Sequence, residues 1–135
     1  MKCPDCKVHV DKHEANYCFN SWVATAVMKL RVRDGIFYMP PDYQMGIMGT
    51  DPYSTQIYAA KNASDKAGRV LILAPSPIEK EWLVEIIPYE GTAGDAVWAA
   101  GATEELARCR AAIKSACQSA CRRREVDAAN RISGS

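Results

Sequence analysis

The sequence lacks the features that place a protein in or on a membrane. Its 135 residues contain no apolar run that approaches the ~20 residues of a membrane-spanning helix. Its first residues carry cysteines and charges instead of the apolar centre of a signal peptide. An excess of charge of one sign is also missing, because 17 basic residues face 16 acidic ones. We therefore expect a cytoplasmic protein with no membrane contact and no general affinity for nucleic acid.

Catalytic motifs are missing as well. There is no glycine-rich phosphate loop, no Gly-x-Ser-x-Gly nucleophile turn and no His-Glu-x-x-His zinc motif. The two histidines, His9 and His13, both lie among the N-terminal cysteines. If the metal site described below uses this segment, no histidine remains for a general base. These absences predict a protein that is not an enzyme.

The N-terminal residues instead concentrate three of the six cysteines. Cys3 and Cys6 form a Cys-x2-Cys knuckle, and His13 and Cys18 follow in the pattern Cys-x2-Cys-x6-His-x4-Cys. Four sulfur and nitrogen ligands at these spacings favour a closed, tetrahedral structural Zn²⁺ site, which leaves no open position for catalysis. His9 competes with His13 as the third ligand. We prefer His13, because its spacing to Cys18 at a helix start brings both side chains to one side.

Two other interpretations of this segment remain open. One is that the cysteines are free thiols in a flexible N-terminal segment. The other is a redox dithiol, although the strand-then-helix context expected for a Cys-x-x-Cys redox motif is absent here. In a reducing compartment, cysteines are more often ligands, nucleophiles or core residues than disulfides.

The rest of the chain alternates helix-like and strand-like patterns. The predicted elements are a helix at 15–30, a strand at 36–39, a helix from Ser54 to Gly68, strands at 69–74, 81–87 and 96–100, and a helix from Thr103 to about Arg124. This order predicts an α+β fold in which a small, largely antiparallel sheet is layered between helices, as an α/β/α sandwich. Three cysteines are predicted to pack in the core along the last helix: Cys109, Cys117 and Cys121.

Seven residues are candidates for binding a small anionic ligand. Tyr43 and Tyr53 flank a loop at 40–52, and aromatic residues at both ends of a loop can line a pocket. Ser54 and Thr55 can donate hydrogen bonds to a phosphate at a helix N-terminus, although helix capping explains them too. The candidate cations, which solvated surface charge explains equally well, are Arg31, Arg33 and Arg108.

Three blocks of the sequence resemble small bacteriophage and prophage proteins with the phage ABA sandwich domain. Residues 52–60, PYSTQIYAA, resemble the family's YSTDI-x-AA block, with Gln56 in place of the usual Asp. Residues 101–112 resemble its C-terminal block. Residues 22–28 resemble its first helix, whose Gly-Trp ending is replaced here by Lys29-Leu30.

The resemblance implies a helix/sheet/helix sandwich that is encoded by a phage or prophage and acts in the cytoplasm of the bacterial host. Some small phage proteins are oligomers that sequester nucleotide immune signals. By analogy, we expect a non-enzymatic counter-defence protein, a homo-oligomer that binds a small anionic ligand such as a signalling (cyclic) nucleotide. The alternative is a zinc-bearing interaction module that docks on a host protein or nucleic acid.

The predicted zinc knuckle and the resemblance together suggest three parts of the chain. We expect a zinc-knuckle prefix at 1–18, the sandwich domain at 19–126 and a flexible tail at 127–135.

Overall fold

A computed structural model describes residues 1–33, 36–39, 43–44, 51–73 and 80–133, and side chains within these ranges except those of 39, 43–44, 73 and 119–133. Helices and strands follow in the order α1 (Tyr17–Ala26), β1 (Arg31–Arg33), β2 (Ile36–Met39), β3 (Tyr43–Gln44), α2 (Ile57–Ala67), β4 (Arg69–Leu73), β5 (Trp82–Ile87), a 3₁₀ turn (Ala93–Asp95), β6 (Val97–Gly101) and α3 (Glu104–Ser133). The predicted α+β class is therefore confirmed. Within the described ranges, no helix is both long and apolar enough to cross a membrane.

The larger sheet consists of β4, β5 and β6, paired antiparallel in that order. Alternate residues of its strands point to opposite faces, and Val84, Ile86 and Ala99 are buried on the face that α2 and α3 cover. On the other face, Leu71 and Trp98 are about half exposed, at 51% and 47%. The predicted sandwich with helices on both faces is thus corrected, because α2 and α3 pack side by side on one face.

The first helix is shorter than its apolar spacing predicts. Asn16 caps its start by accepting a hydrogen bond from the backbone N–H of Phe19, at 3.0 Å. The helix ends at Ala26, because Lys29 adopts a left-handed backbone conformation (φ 60°) that turns the chain away. Residues 31–33, predicted to lie outside any strand, instead form β1 and begin a second antiparallel sheet of β1, β2 and β3. The single predicted sheet is therefore two.

The second helix begins slightly later than predicted from a cap at Ser54 or its neighbour. Its N-cap is Gln56, which makes no side-chain capping bond, and Ser54 lies outside the helix. The predicted end at Gly68 is confirmed. A β-carbon on Gly68 would lie 2.4 Å from the carbonyl oxygen of Ile87, so a residue without a side chain lets the chain pass directly from α2 into β4.

The third helix starts as predicted and runs further. The hydroxyl of Thr103 accepts a hydrogen bond from the backbone N–H of Leu106 at 3.2 Å, which caps the first turn. The helix continues to Ser133, so most of the predicted tail is helical. Cys109 is fully buried, which confirms its predicted core position and raises the pKa of its thiol. Cys117 packs at the edge of the core, and the side chain of Cys121 lies outside the described part.

Candidate metal centre

The first ten residues form a small hairpin whose tip carries two of the cysteines. Lys2 and His9 form an antiparallel bridge, and the backbone N–H of Cys3 donates to the carbonyl of Val8 at 2.9 Å. Lys7, at the turn, has a left-handed backbone (φ 64°), and its N–H bonds back to the carbonyl of Cys3 at 2.9 Å. This tight turn brings the two thiols of the Cys-x2-Cys knuckle to the same side.

Four side chains converge beside this hairpin: Cys3, Cys6, His13 and Cys18. Their sulfur and nitrogen atoms all lie within 4.8 Å of one another. The sulfur atoms of Cys3 and Cys18 are 3.6 Å apart, and the sulfur of Cys6 is 3.2 Å from Nε2 of His13. In a tetrahedral zinc site, with bonds of about 2.3 Å to sulfur and about 2.0 Å to nitrogen, these separations would be about 3.8 and 3.5 Å. The cluster therefore has the dimensions to hold a metal ion.

His13 is oriented for ligation by its second ring nitrogen. Nδ1 lies 2.9 Å from the carbonyl oxygen of Glu14, to which it can donate a hydrogen bond, and this leaves Nε2 as the nitrogen that faces the thiols. The ring also packs against Phe19, with centroids 4.9 Å apart, and against Trp22 at 6.0 Å. Burial to 2% exposure keeps the imidazole in this one position.

His9, the competing ligand considered from the sequence, lies outside the cluster. Its Nδ1 accepts a hydrogen bond from the backbone N–H of Asp11 at 3.2 Å, and its side chain is exposed. The hairpin explains this difference, because the bridge between Lys2 and His9 aligns the histidine with the strand and away from the tip.

The thiols of the cluster have unequal environments. Cys3 is fully buried, Cys18 half-buried and Cys6 exposed. A hydrogen bond from the backbone of Val8 lowers the pKa of Cys6. Burial, together with the neighbouring thiols of Cys3 and Cys6, raises the pKa of Cys18 to about 12. A bound cation would offset the repulsion between thiolates this close together.

Two cations of α3 attach this segment to the rest of the fold. The guanidinium of Arg110 donates to the carbonyl of His13 at 2.9 Å and to that of Ala100, in β6, at 2.7 Å. Lys114, one turn further along, lies 2.7 Å from a carboxylate oxygen of Asp11. Burial lowers the pKa of Arg110. Sequence reasoning considered Arg110 as a candidate cation for an anionic ligand and did not identify this role for either residue, because nothing in the pattern of α3 indicates that its basic side chains face the N-terminal segment.

Two of the residues predicted to bind an anionic ligand are core residues. Tyr53 and Ser54 are each 1% exposed. The backbone N–H and the hydroxyl of Ser54 both donate to the amide oxygen of Asn20, at 2.9 and 2.7 Å. The thiol of Cys109 lies 3.1 Å from the carbonyl of Tyr53. Their polar groups are thus used to join the segment before α2 to α1 and α3.

The remaining candidates lie apart from one another. Arg108 is 6% exposed and donates to the hydroxyl of Ser64 at 2.8 Å, with Glu104 3.6 Å away. Arg31 and Arg33 are exposed on β1, and Thr55 is exposed ahead of α2. The side chain of Tyr43 lies outside the described part. Among the described residues, the predicted set is therefore not brought together in one pocket.

Comparison with solved structures finds a similar fold in another protein. A crystal structure of a phage protein from Bacillus cereus ATCC 14579 superposes with a TM-score of 0.59 at 18% identity, over 76% of this chain and 92% of that one. At this identity the likeness concerns the fold alone. No protein-family model and no curated protein matches the sequence.

Proposed function

We propose that this chain is a zinc-stabilised interaction module of phage origin that docks on a protein of the bacterial host. The observation that carries the proposal is the convergence of Cys3, Cys6, His13 and Cys18 within 4.8 Å. Three sulfurs and one imidazole are the soft and borderline ligands that Zn²⁺ prefers in structural sites. With four protein ligands, the ion has no open position for water or substrate, so its role is structural and not catalytic.

The metal would also shape a binding surface. A groove of about 350 Å³ runs between the knuckle, α1 and the β1–β2 hairpin. Its apolar lining includes Trp22 and Phe37 at the bottom and the exposed Tyr17 and Val32 at the rim, and Pro4 of the knuckle forms one wall. Because Pro4 lies between two of the ligands, zinc binding would fix this wall. An apolar side chain of a host protein fits such a groove.

The proposal also includes that the protein is encoded by a phage and acts in the host cytoplasm. The three sequence blocks and the fold of the Bacillus cereus phage protein together support membership of the phage ABA sandwich family. A phage protein that acts on host components would work in the cytoplasm, where thiols stay reduced and available to zinc. No histidine lies outside the N-terminal segment to act as a base, which supports a binding role over catalysis.

Elemental analysis tests the metal directly. We expect about one zinc per chain in the purified protein, and its loss in the variants Cys3→Ser and Cys6→Ser. Cys117→Ser, which removes a thiol outside the cluster, is the matched control and should keep the metal. Retention of zinc in both ligand variants would contradict the assignment.

The docking role needs a separate test. We expect Val32→Asp to abolish the pull-down of a specific host protein, while Tyr58→Asp, at an exposed position on α2, leaves it intact. Cys3→Ser should weaken the same pull-down, since it releases the knuckle wall. If Val32→Asp and the control behave alike, the groove is not the docking surface.

A second candidate function, binding of a small anionic ligand such as a cyclic nucleotide, is favoured by one observation. Arg31 and Arg33 are exposed on the same face of β1, and the guanidinium of Arg33 lies 4.5 Å from the centroid of the Tyr38 ring. Two cations beside an aromatic ring can bind a phosphate and stack a base. Calorimetry with a nucleotide panel would show binding without turnover that the double variant Arg31→Gln/Arg33→Gln removes. Absence of binding across the panel, or release of an altered ligand, would refute this function.

A further inference from the structure

The outer face of the β4–β5–β6 sheet, turned away from α2 and α3, is a mostly apolar surface. Strand register aligns Leu71, Glu85 and Trp98 in one row across the three strands. Arg69 pairs with Ile87 in the row on one side. Leu83 pairs with Ala100 in the row on the other side. We call these seven residues the outer sheet face.

The two outermost strands of this face expose large apolar side chains. Leu71 and Trp98, at opposite edges of the central row, are 51% and 47% exposed, and Leu83 and Ile87 between the edges are half-buried. An antiparallel sheet with one open face normally alternates apolar residues inward with polar residues outward. Here the outward positions are mainly apolar, with Glu85 between Leu71 and Trp98, and exposed apolar side chains of this kind suit an interaction surface.

The charges of the outer sheet face indicate which partner fits it. Arg69 is its single cation and Glu85 its single anion, two residues apart in register on neighbouring strands. Arg69 also donates to the carbonyl of Gly91 at 3.4 Å. A twofold axis between two copies can bring the cation of each copy to the anion of the other, so a second copy offers charges that match both. We therefore propose that the outer sheet face packs against the same face of a second copy of this chain.

Association through the free edge of β6 is disfavoured by the same structure. The carbonyl of Trp98 accepts a hydrogen bond from Lys114 at 2.8 Å, and that of Ala100 accepts one from Arg110 at 2.7 Å. Side chains of α3 thus occupy acceptors of this strand that another strand would need. The two copies would meet face to face, as in a sandwich of two sheets.

The area of the outer sheet face limits how tightly two copies can associate. Three strands about 4.8 Å apart and about five residues long cover a footprint of roughly 14 by 18 Å. Stable complexes usually bury about 800 Å² on each partner, which is more than this footprint offers. We therefore expect a dimer that dissociates on dilution. This inference goes beyond the proposed docking on a host protein, which uses the groove on α1 and β1.

Sedimentation equilibrium over a concentration series tests the dimer. We expect the mass to rise from the 14.9 kDa of one chain towards twice that value. Trp98→Lys should weaken association by at least about tenfold, since it replaces a large apolar side chain of the interface with a charge. Tyr58→Lys, on the exposed side of α2, is the matched control and should associate like the unchanged chain. A melting curve for each variant checks that it folds, and Leu71→Lys serves as the second variant.

Charge reversal tests the twofold pairing. Arg69→Glu and Glu85→Arg should each weaken the dimer, and the double variant should recover most of the loss. A chain that stays monomeric at its highest soluble concentration would overturn the proposal. A dimer unaffected by both Trp98→Lys and Leu71→Lys would overturn it too, and so would a double variant that associates no better than either single one. Because none of these residues lines the groove or the metal cluster, these results leave zinc content and host-protein binding to their own tests.

Discussion

Zinc binding to the four-residue cluster should release protons, and the number released follows from the thiols. Zinc binds thiolates, so each thiol that is protonated in the free protein loses a proton on binding. The pKa of Cys18 is raised to about 12, so this thiol contributes one full proton at pH 7. Cys6, whose pKa is lowered, contributes up to one. Cys3 supplies the third sulfur of the cluster.

We therefore expect at least one proton, from Cys18, and at most three, one for each thiol, to be released per zinc near pH 7. Affinity should rise with pH by at least about tenfold and at most about 1000-fold per unit in this range, because each proton released contributes one factor of ten. Titration against a chromophoric chelator at two pH values measures the slope. Calorimetry in two buffers with different ionisation enthalpies counts the protons independently.

A variant that lacks a cysteine outside the cluster is the control for the pH dependence of zinc affinity. Cys117→Ser removes a thiol outside the cluster and should leave the slope unchanged. A slope below tenfold per pH unit means that less than one proton is released. Such a value would show that the protonated thiol of Cys18 does not ligate the ion and would refute the proposed ligand set.

Three further predictions concern stability, and urea unfolding measures each. Gly101→Ala places a β-carbon 2.8 Å from the backbone nitrogen of Ala107 and should destabilise by about 1–3 kcal/mol, whereas Gly94→Ala meets its nearest atom at 3.6 Å and should cost little. Arg110→Gln deprives two backbone carbonyls of a charged donor and should cost about 1–3 kcal/mol; an unchanged midpoint would show that water replaces both bonds. Ile113→Ala should cost about 2–5 kcal/mol, because this side chain is fully buried, and a loss near zero would contradict its place in the core.

Some features could be predicted from local sequence alone, because they depend on neighbouring residues. The Cys-x2-Cys spacing already implies a tight turn, and the structure forms one there. The hydroxyl of Thr103 and the absent side chain of Gly68 mark helix ends for reasons confined to one turn. The antiparallel pairing of β4 and β5 likewise follows from their closeness along the chain. These features need no knowledge of distant partners.

Other features depended on contacts between residues far apart in sequence. Ser54 has the residue type of a helix cap, but it lies 34 residues from Asn20, with which it bonds in the core. Arg110 bonds to a carbonyl 97 residues away. Periodicity marked β4, β5 and β6 as strands but could not show that both packing helices cover the same face. The amino-acid sequence thus determined the candidate ligand types, the spacing of the knuckle and the ends of most helices and strands. Tertiary packing decided the position of His13 rather than His9 in the cluster, the burial of Arg108 and the exposure of the outer sheet face. The physical reason is that long-range contacts compete with local preferences and override them wherever they bury more surface.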